Sequence, residues 1–159
     1  MNTLFTLLSV QAVMGAFDNL WHHELQAKLP QRLSARRELA LHAVREAIYG
    51  VVFIGLAWWQ WQGVLAVLLA GLLGIEVVVT LADFREEDRS RSLPPFERVL
   101  HTLLTISYGL FLAVFAPVLW GWAQQPTRLL PADNGGWAPL LTLYGVGVLA
   151  WSLRNLIAV

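Results

Sequence analysis

The chain has 159 residues, of which 57% are hydrophobic, and its formal net charge is zero. It contains no cysteine, which excludes disulfides, thiolate metal ligands and thiol nucleophiles together. A neutral chain without a basic stripe also argues against a nucleic-acid partner.

The apolar residues run in long blocks rather than in amphipathic stripes, which is typical of an all-α polytopic membrane protein. A membrane-spanning helix needs about 20 mostly apolar residues. Five blocks approximately meet this length: Asn2–Trp21, Ala43–Trp61, Val64–Ala82, Val99–Trp122 and Trp137–Ile157. We therefore predict five transmembrane helices in a single integral membrane domain that covers residues 1–159.

The boundaries of these blocks carry further information. The first block lacks a basic leader and a small-residue cleavage site, so we predict a retained helix rather than a signal peptide. The uncharged stretch 47–75 is too long for one span, so a tight hairpin is predicted at residues 60–63. The Pro-, Gly- and Asn-rich segment 124–136 is predicted to be an outer loop. Helix 5 has no acidic residue and no histidine, so we expect it at the periphery, where Gly145 and Gly147 let it cover the bundle or mediate dimerisation.

Basic residues fall almost entirely on one side of the predicted membrane. Ten of the eleven lie between helices 1 and 2, between helices 3 and 4, or at the end of helix 5, and Arg128 alone lies on the other side. Such a bias marks the cytoplasmic side, so the N-terminus is predicted outside and the C-terminus inside. Most tryptophans fall at the outer interface: Trp58, Trp59, Trp61, Trp120, Trp122 and Trp137. We expect the bacterial inner (cytoplasmic) membrane.

A short motif occurs twice in the chain. The sequence ELALH at residues 38–42 resembles ERVLH at residues 97–101, and a Tyr-Gly pair follows each copy at the same distance. The two copies belong to two predicted hairpins, residues 1–61 and 63–122, which both turn on the cytoplasmic side. We interpret the hairpins as a parallel repeat that forms a four-helix bundle, with residues 137–158 as a fifth peripheral helix.

Ionisable side chains inside a bilayer are costly and usually functional. Residues four apart share one face of a helix, so the Glu and the His of each motif point the same way. Asp18 and His22 in helix 1 make a third pair of this kind, and helix 3 has Asp83 at the corresponding place. Taken singly, each of these histidines would be interpreted as a neutral side chain that is hydrogen-bonded across the bundle. The doubled motif instead favours metal ligation, with His22 among the ligands.

Some charged residues are predicted to have no role in the site. His23 points about 100° away from His22 on an α-helix and is predicted to be interfacial. The charged run from Glu86 to Arg91, Glu87 included, is predicted to be a solvated turn, as are the charges between residues 24 and 32.

Two carboxyl groups lie deeper in the apolar helices. A lone ionised carboxylate there would be costly, so Glu46 and Glu76 must be protonated, paired or metal-bound. An ion pair with Arg45 is one interpretation, and a catalytic role is the other. Tyr49 and Tyr108 lie two turns beyond the histidines, either as core aromatic residues or as phenols in proton transfer. We predict both carboxyl groups and both tyrosines as catalytic residues.

The ligand pattern resembles that of the ferritin-like di-iron and di-manganese carboxylate proteins, whose bundles carry one Glu on each of two helices and Glu-x-x-His on the other two. The resemblance implies a di-metal site with these ligands: Asp18, Glu38, His42, Asp83, Glu97 and His101. Glu46 and Glu76 would then be bridging or supporting groups. The chain departs from the pattern in its Glu-x-x-x-His spacing and in its single carboxylates, which are Asp. As a whole it also resembles small multipass bacterial membrane proteins.

These observations predict a metal-dependent membrane enzyme whose site opens at the cytoplasmic leaflet. A donor set of nitrogen and oxygen without sulfur suits iron, manganese or zinc. Iron, favoured by the resemblance, implies oxidation of a lipid-like or quinone-like substrate reached from the bilayer, whereas zinc implies hydrolysis. Two alternatives stay open. His42 and His101 could be the axial ligands of a b-type haem in an electron-transfer protein, or Glu46 and Glu76 could carry divalent cations or protons in a transporter or sensor.

Overall fold

The computed structural model describes residues 1–159 and is all-α apart from one two-stranded sheet. The helices are α1 (Asn2–Asp18), α2 (Arg36–Trp58), α3 (Val64–Ser90), α4 (Pro95–Ala123) and α5 (Trp137–Ala158). The strands are β1 (Trp59–Gln62) and β2 (Arg128–Pro131). All five helical segments are long and apolar enough to cross a membrane. The predicted all-α class and the five long helices are confirmed.

The helices continue past the apolar blocks at one end of the bundle. Helix α2 begins at Arg36, about two turns before the apolar block, and α3 ends at Ser90, about two turns after its block. Helix α4 begins at Pro95, a residue type that suits the first helical position because that position needs no amide hydrogen bond. The ionisable residues of this end are therefore held on regular helices. We call it the polar end, where α1, α3 and α5 end and α2 and α4 begin.

Helix α1 does not stop at Asp18 but continues as a π-helix over Asn19–Gln26. One turn of a π-helix closes between residues five apart, as in the hydrogen bond from the Ala27 amide to the His22 carbonyl (2.7 Å). Two short 3₁₀ turns, Leu29–Gln31 and Leu33–Ala35, then lead into α2.

The opposite end of the bundle is closed by the sheet. Strand β1 pairs antiparallel with β2, in a register that places Trp59 opposite Pro131 and Gln62 opposite Arg128. The predicted tight hairpin at residues 60–63 is therefore wrong in its detail, because most of that segment is strand β1. The predicted outer loop 124–136 contains β2, the strand that pairs with it. Outside the helices the backbone amides and carbonyls still need hydrogen bonds, and the two segments supply them to each other. The turn into α3 is made by Gly63, whose φ of 62° suits glycine.

The long helices pack around the core as a series of neighbours. Helix α1 contacts α4, α4 contacts α3, α3 contacts α2, and α5 lies against both α2 and α1. The most extensive of these interfaces joins α2 and α5, where the Ser152 hydroxyl donates to the Ala43 carbonyl (2.7 Å). The predicted peripheral position of α5 is corrected accordingly. Its small residues allow close approach to α2, so it is a full member of the bundle.

The bundle has an apolar core in one half and a polar core in the other. The main apolar cluster includes Phe5, Val52, Phe111 and Phe115 and lies towards the sheet. Ionisable side chains fill the polar end instead. Large apolar side chains are exposed along the outer helix faces, among them Val78 at 65%. Apolar outer faces around a charged interior are the arrangement expected of a protein that lies in a bilayer.

Candidate metal centre

The polar end buries an unusual number of ionisable side chains. All four histidines are buried, as are seven carboxyl groups. The carboxyl groups are Asp18, Glu38, Glu46, Glu76, Asp83, Glu87 and Glu97. Buried charges must be paired or coordinate a metal, so each of these groups needs a partner.

Each of the two aspartates contacts the histidine of the repeated motif in the other predicted hairpin. Asp18 Oδ2 lies 3.0 Å from His101 Nε2, and Asp83 Oδ2 lies 2.9 Å from His42 Nε2. The two pairs thus join α1 to α4 and α3 to α2. The sequence grouped these four residues as ligands, and the structure brings them to one end of the bundle.

Glu87 lies between the two histidines. Its Oε1 is 3.7 Å from His42 Nε2, and its Oε2 is 3.3 Å from His101 Nδ1. Its side chain is fully buried, so the prediction that it belongs to a solvated turn is wrong. Helix α3 extends far enough to carry this residue into the core, one turn after Asp83.

His23 occupies the centre of the cluster. Its ring stacks on that of His42, with centroids 4.5 Å apart and planes 8° apart. Its Nε2 lies 3.5 Å from Asp18 Oδ2 and 3.7 Å from Glu97 Oε1. The predicted interfacial position is wrong because residues five apart share a face of the π-helix, so His23 follows Asp18 into the core.

Two groups of side chains have donor atoms close enough to hold a metal ion. One consists of Asp18, His23, Glu97 and His101, and the other of His23, His42 and Glu87. In each group one ligand atom per residue lies within 4.8 Å of all the others. These buried groups could therefore bind a metal through imidazole nitrogens and carboxylate oxygens, donors that suit iron, manganese and zinc.

Several of these donor atoms lack a hydrogen-bond partner in the protein. They are both ring nitrogens of His23 and of His42, both carboxylate oxygens of Glu87, and Asp83 Oδ1. His42 Nε2 and the two oxygens of Glu87 do have ion-pair contacts, whereas His42 Nδ1, His23 Nδ1 and Asp83 Oδ1 have neither kind of partner. Buried polar atoms are rarely left without a partner, so this concentration calls for an explanation.

Glu38 and Glu97 share one arginine. The Arg91 guanidinium lies 3.0 Å from Glu38 Oε1 and makes a two-pronged contact with Glu97, at 2.6 and 2.9 Å. Burial by itself would lower the pKa of Arg91, but its hydrogen bonds to Glu97 and the charge of Glu38 raise that pKa above its ordinary value. Arg91 was expected to be solvated, and its side chain is only 8% exposed. Glu38, predicted as a ligand, also accepts from Ser90 and belongs to neither candidate group.

The remaining predicted ligand and one predicted catalytic residue lie beside the groups. His22 Nδ1 lies 2.7 Å from Asp18 Oδ1, so His22 can fix the orientation of that carboxylate. Glu46 accepts from the side-chain amides of Asn19 and Asn155, both at 2.9 Å. Arg45 contacts neither Glu46 nor Glu76 as an ion pair and instead donates to Asp83 Oδ2 at 2.8 Å.

Glu76, Tyr49 and Tyr108 form a second polar site deeper in the bundle. Glu76 is 2% exposed, accepts from the Thr80 hydroxyl at 2.8 Å and leaves Oε2 without a partner. The two tyrosine rings meet edge to face at 5.8 Å, and Glu76 lies near both phenol groups. The Tyr108 hydroxyl donates to a backbone carbonyl of α3. These residues are placed together, apart from the histidines.

Sequence reasoning missed His23 and Glu87, and the signals for them differ. Asp83 and Glu87 have the same spacing of four as Asp18 and His22, so Glu87 was detectable from the sequence. The surrounding charged run concealed it. The position of His23 depends on the change from α- to π-helix, which helical spacing does not reveal.

Comparison with protein-family models, with curated proteins and with solved structures gives no match for this chain.

Proposed function

We propose that the polar end binds two metal ions and that the protein is a metal-dependent membrane enzyme. The observation that carries this proposal is the convergence of buried donor atoms within 4.8 Å of one another, among them ring nitrogens of His23 and His42 that have no hydrogen-bond partner. A metal ion would bind these imidazole nitrogens and the neighbouring carboxylate oxygens together. The chain also offers no thiolate, so the ions would be held by imidazole and carboxylate groups alone.

The distances between donor atoms support shared coordination. Two ligand atoms about 2.1 Å from one metal lie about 3.0–3.4 Å apart in octahedral or tetrahedral geometry. The approaches of Asp83 to His42 and of Glu87 to His101 are 2.9 and 3.3 Å. They therefore have the spacing of neighbouring ligands on one ion.

Glu87 is the group that would join the two ions. One of its oxygens faces His42 and the other faces His101. Glu87 would hold one ion together with His42 and His23, and its other oxygen would fix His101 through Nδ1. The second ion would be held by Asp18, Glu97 and His101, and His23 is within reach of both donor groups. Glu87 would thus link the two sites, the role for which the ferritin-like resemblance offered Glu46 or Glu76.

Charge balance favours cations over protons in this site. Five carboxylates around the histidines (Asp18, Glu38, Asp83, Glu87 and Glu97) outnumber the two largely buried guanidinium groups, those of Arg45 and Arg91. Protonated histidines could offset this excess of negative charge. However, His23 and His42 are stacked at 4.5 Å, and two imidazolium rings at that distance repel each other. Divalent ions would offset the excess while the histidines stay neutral.

The same geometry argues against a b-type haem between His42 and His101. An axial pair needs the porphyrin plane between the two imidazoles, and here the Glu87 carboxylate lies between them. His23 also covers one face of His42. The haem alternative would require both side chains to leave the core.

A bound iron pair would supply oxygen chemistry, and zinc would supply an activated water. The chain's own residues would hold the site and exclude water. Phe84 stacks on His101 at 5.5 Å, and Phe96 contacts His22 at 5.6 Å.

Glu76, with its free oxygen beside two phenols, is suited to hold a proton for a hydrophobic, lipid-like substrate. The bias of basic residues supports a position of this end on the cytoplasmic side of a bacterial inner membrane.

Metal analysis of the purified protein tests the first part of the proposal. We expect about two iron, manganese or zinc ions per chain, as in di-metal carboxylate bundles. Glu87→Gln should lose at least half of this metal, because it removes the one carboxylate of the His23, His42 and Glu87 group. Asp88→Asn makes the same charge change on the exposed neighbour and should keep the full content. Failure to bind any of the three metals, or a haem Soret band, would overturn the proposal.

Activity is tested separately on protein of known metal content. Iron-loaded protein in nanodiscs is supplied with oxygen and a long-chain quinol, and oxygen uptake is recorded. We expect uptake that Glu87→Gln abolishes. If the protein binds metal but turns over neither quinol nor, in the zinc form, phospholipid, the proposal that it is an enzyme is refuted. The protein would then be a metal carrier.

A further inference from the structure

A groove runs along the outer surface between α2 and α3 at the polar end. Its volume is about 780 Å³. It is lined by Arg37, Ala40, Leu41, Val44, Leu81, Ala82, Arg85, Glu86 and Arg89. None of these residues belongs to the metal groups, which lie on the inner side of the same two helices.

The lining follows from helical spacing on two antiparallel helices. On α2 the lining positions are 37, 40, 41 and 44, and on α3 they are 81, 82, 85, 86 and 89. Residues three and four apart share one face, so each helix presents one stripe to the groove. The alanines at positions 40 and 82 leave room between the stripes. Because the helices run in opposite directions, Arg37 and Arg89 lie at the same end and Val44 and Leu81 at the other.

The three arginines of the groove have no ion-pair partner within the chain. Arg37, Arg85 and Arg89 are exposed and make no salt bridge, whereas Arg45, Arg91 and Arg154 each contact a carboxylate. Glu86 is the one acidic residue of the lining. The groove therefore has an excess of positive charge at one end and an apolar wall at the other.

We propose that this groove binds an anionic phospholipid. The guanidinium groups of Arg37, Arg85 and Arg89 match a phosphate, which Arg binds through paired hydrogen bonds. An acyl chain would lie along Leu41, Val44 and Leu81, on surface that is already apolar. Basic pockets between transmembrane helices on the cytoplasmic side are suited to anionic head groups. The proposal requires the helices to span the membrane and is independent of the metals.

Lipid binding is measured on the intact protein in neutral detergent by native mass spectrometry. The probes are dioleoyl phosphatidylglycerol, dioleoyl phosphatidylcholine and the head group glycerol phosphate alone. We expect phosphatidylglycerol to bind at least about tenfold more tightly than phosphatidylcholine, since each basic residue near a membrane surface favours anionic lipid. Glycerol phosphate alone should bind weakly. Equal binding of the two lipids, or full-strength binding of the head group alone, would overturn the proposal.

The variant Arg37→Gln/Arg85→Gln/Arg89→Gln should abolish the preference for phosphatidylglycerol. The matched control is Arg32→Gln/Arg36→Gln/Arg98→Gln, which removes three exposed, unpaired arginines outside the groove. Ala82→Phe fills the apolar wall without a change in charge, so it should weaken binding of phosphatidylglycerol while the fold is kept. An unchanged preference in the first variant, or an equal loss in the control, would refute the assignment. Metal content should be the same in all of them, which separates this test from that of the metal centre.

Discussion

Replacement of Arg91 tests whether the polar end is held together by charge. Arg91→Met removes the guanidinium that contacts both Glu38 and Glu97 while it keeps much of the side-chain volume. The two carboxylates are 0% and 1% exposed, so water cannot replace the lost partner. Glu38 would keep a hydrogen bond from Ser90, and Glu97 would keep a histidine at 3.7 Å.

The expected loss in the free energy of unfolding follows from the removal of one partner of a buried ion pair. Removal of one partner costs about 3–5 kcal/mol, because a buried charge is left without compensation. For a chain of this size, each kcal/mol shifts Tm by about 2–4 °C, so the variant should melt about 6–20 °C below the wild type. We expect the lower part of this range, since Arg91 lies between α3 and α4, outside the two segments that are apolar enough to cross a membrane, and retains 8% exposure.

Thermal unfolding in detergent or nanodiscs measures this shift. Arg98→Met is the matched control, because Arg98 is exposed and makes no ion pair. Neutralising the orphaned carboxylates, in Glu38→Gln/Glu97→Gln/Arg91→Met, should recover part of the lost stability. If Arg91→Met melts with the Arg98→Met control, or if the triple variant recovers nothing, the reasoning from buried charge is refuted.

Two further predictions concern the helix packing and the metals. Gly145→Ala should lower Tm because the added methyl group would press on Ile54 and Phe53 of α2, whereas Gly147→Ala, which faces open space, should leave Tm unchanged. Equal melting of the two variants would contradict the observed α2–α5 interface. A strong chelator should lower Tm of the wild type, because a metal that binds the folded state stabilises it. The same chelator should have little effect on the Tm of Glu87→Gln. An equal decrease in Tm in both proteins would argue against metal binding through Glu87.

The helical class, the five long helices and the clustering of ionisable groups at one end follow from the sequence. Blocks of apolar residues fix the helices because backbone groups in a bilayer must be satisfied within the chain. Asp18, His42, Asp83 and His101 lie at the ends of the apolar blocks in the sequence, which is why their meeting at one end of the bundle was predictable. The sheet was not predictable in this way, since the pairing of residues 59–62 with 128–131 joins two short segments distant in sequence.

Several details of the site could not be predicted from the helical periodicity of the sequence. The π-helix after Asp18 moves His23 from the predicted interface into the core. The extension of α3 to Ser90 turns an apparent charged loop into a helix that buries Glu87. Arg91 then becomes the partner of two carboxylates that the sequence had suggested as ligands. Each of these outcomes was decided by tertiary contacts.

The two predicted hairpins contribute different donors to one site, and this difference bears on how the site would work. Asp18 reaches His101, and Asp83 reaches His42, so each aspartate joins its own hairpin to a histidine of the other. Beyond the aspartates the halves diverge, because α1 continues as a π-helix that delivers an imidazole, whereas α3 stays α-helical and delivers the Glu87 carboxylate. Arg45 binds Asp83, and a histidine binds Asp18. Two metals bound here would therefore have unequal surroundings, with more positive charge beside Asp83. Such inequality would suit a site in which the two ions have different roles.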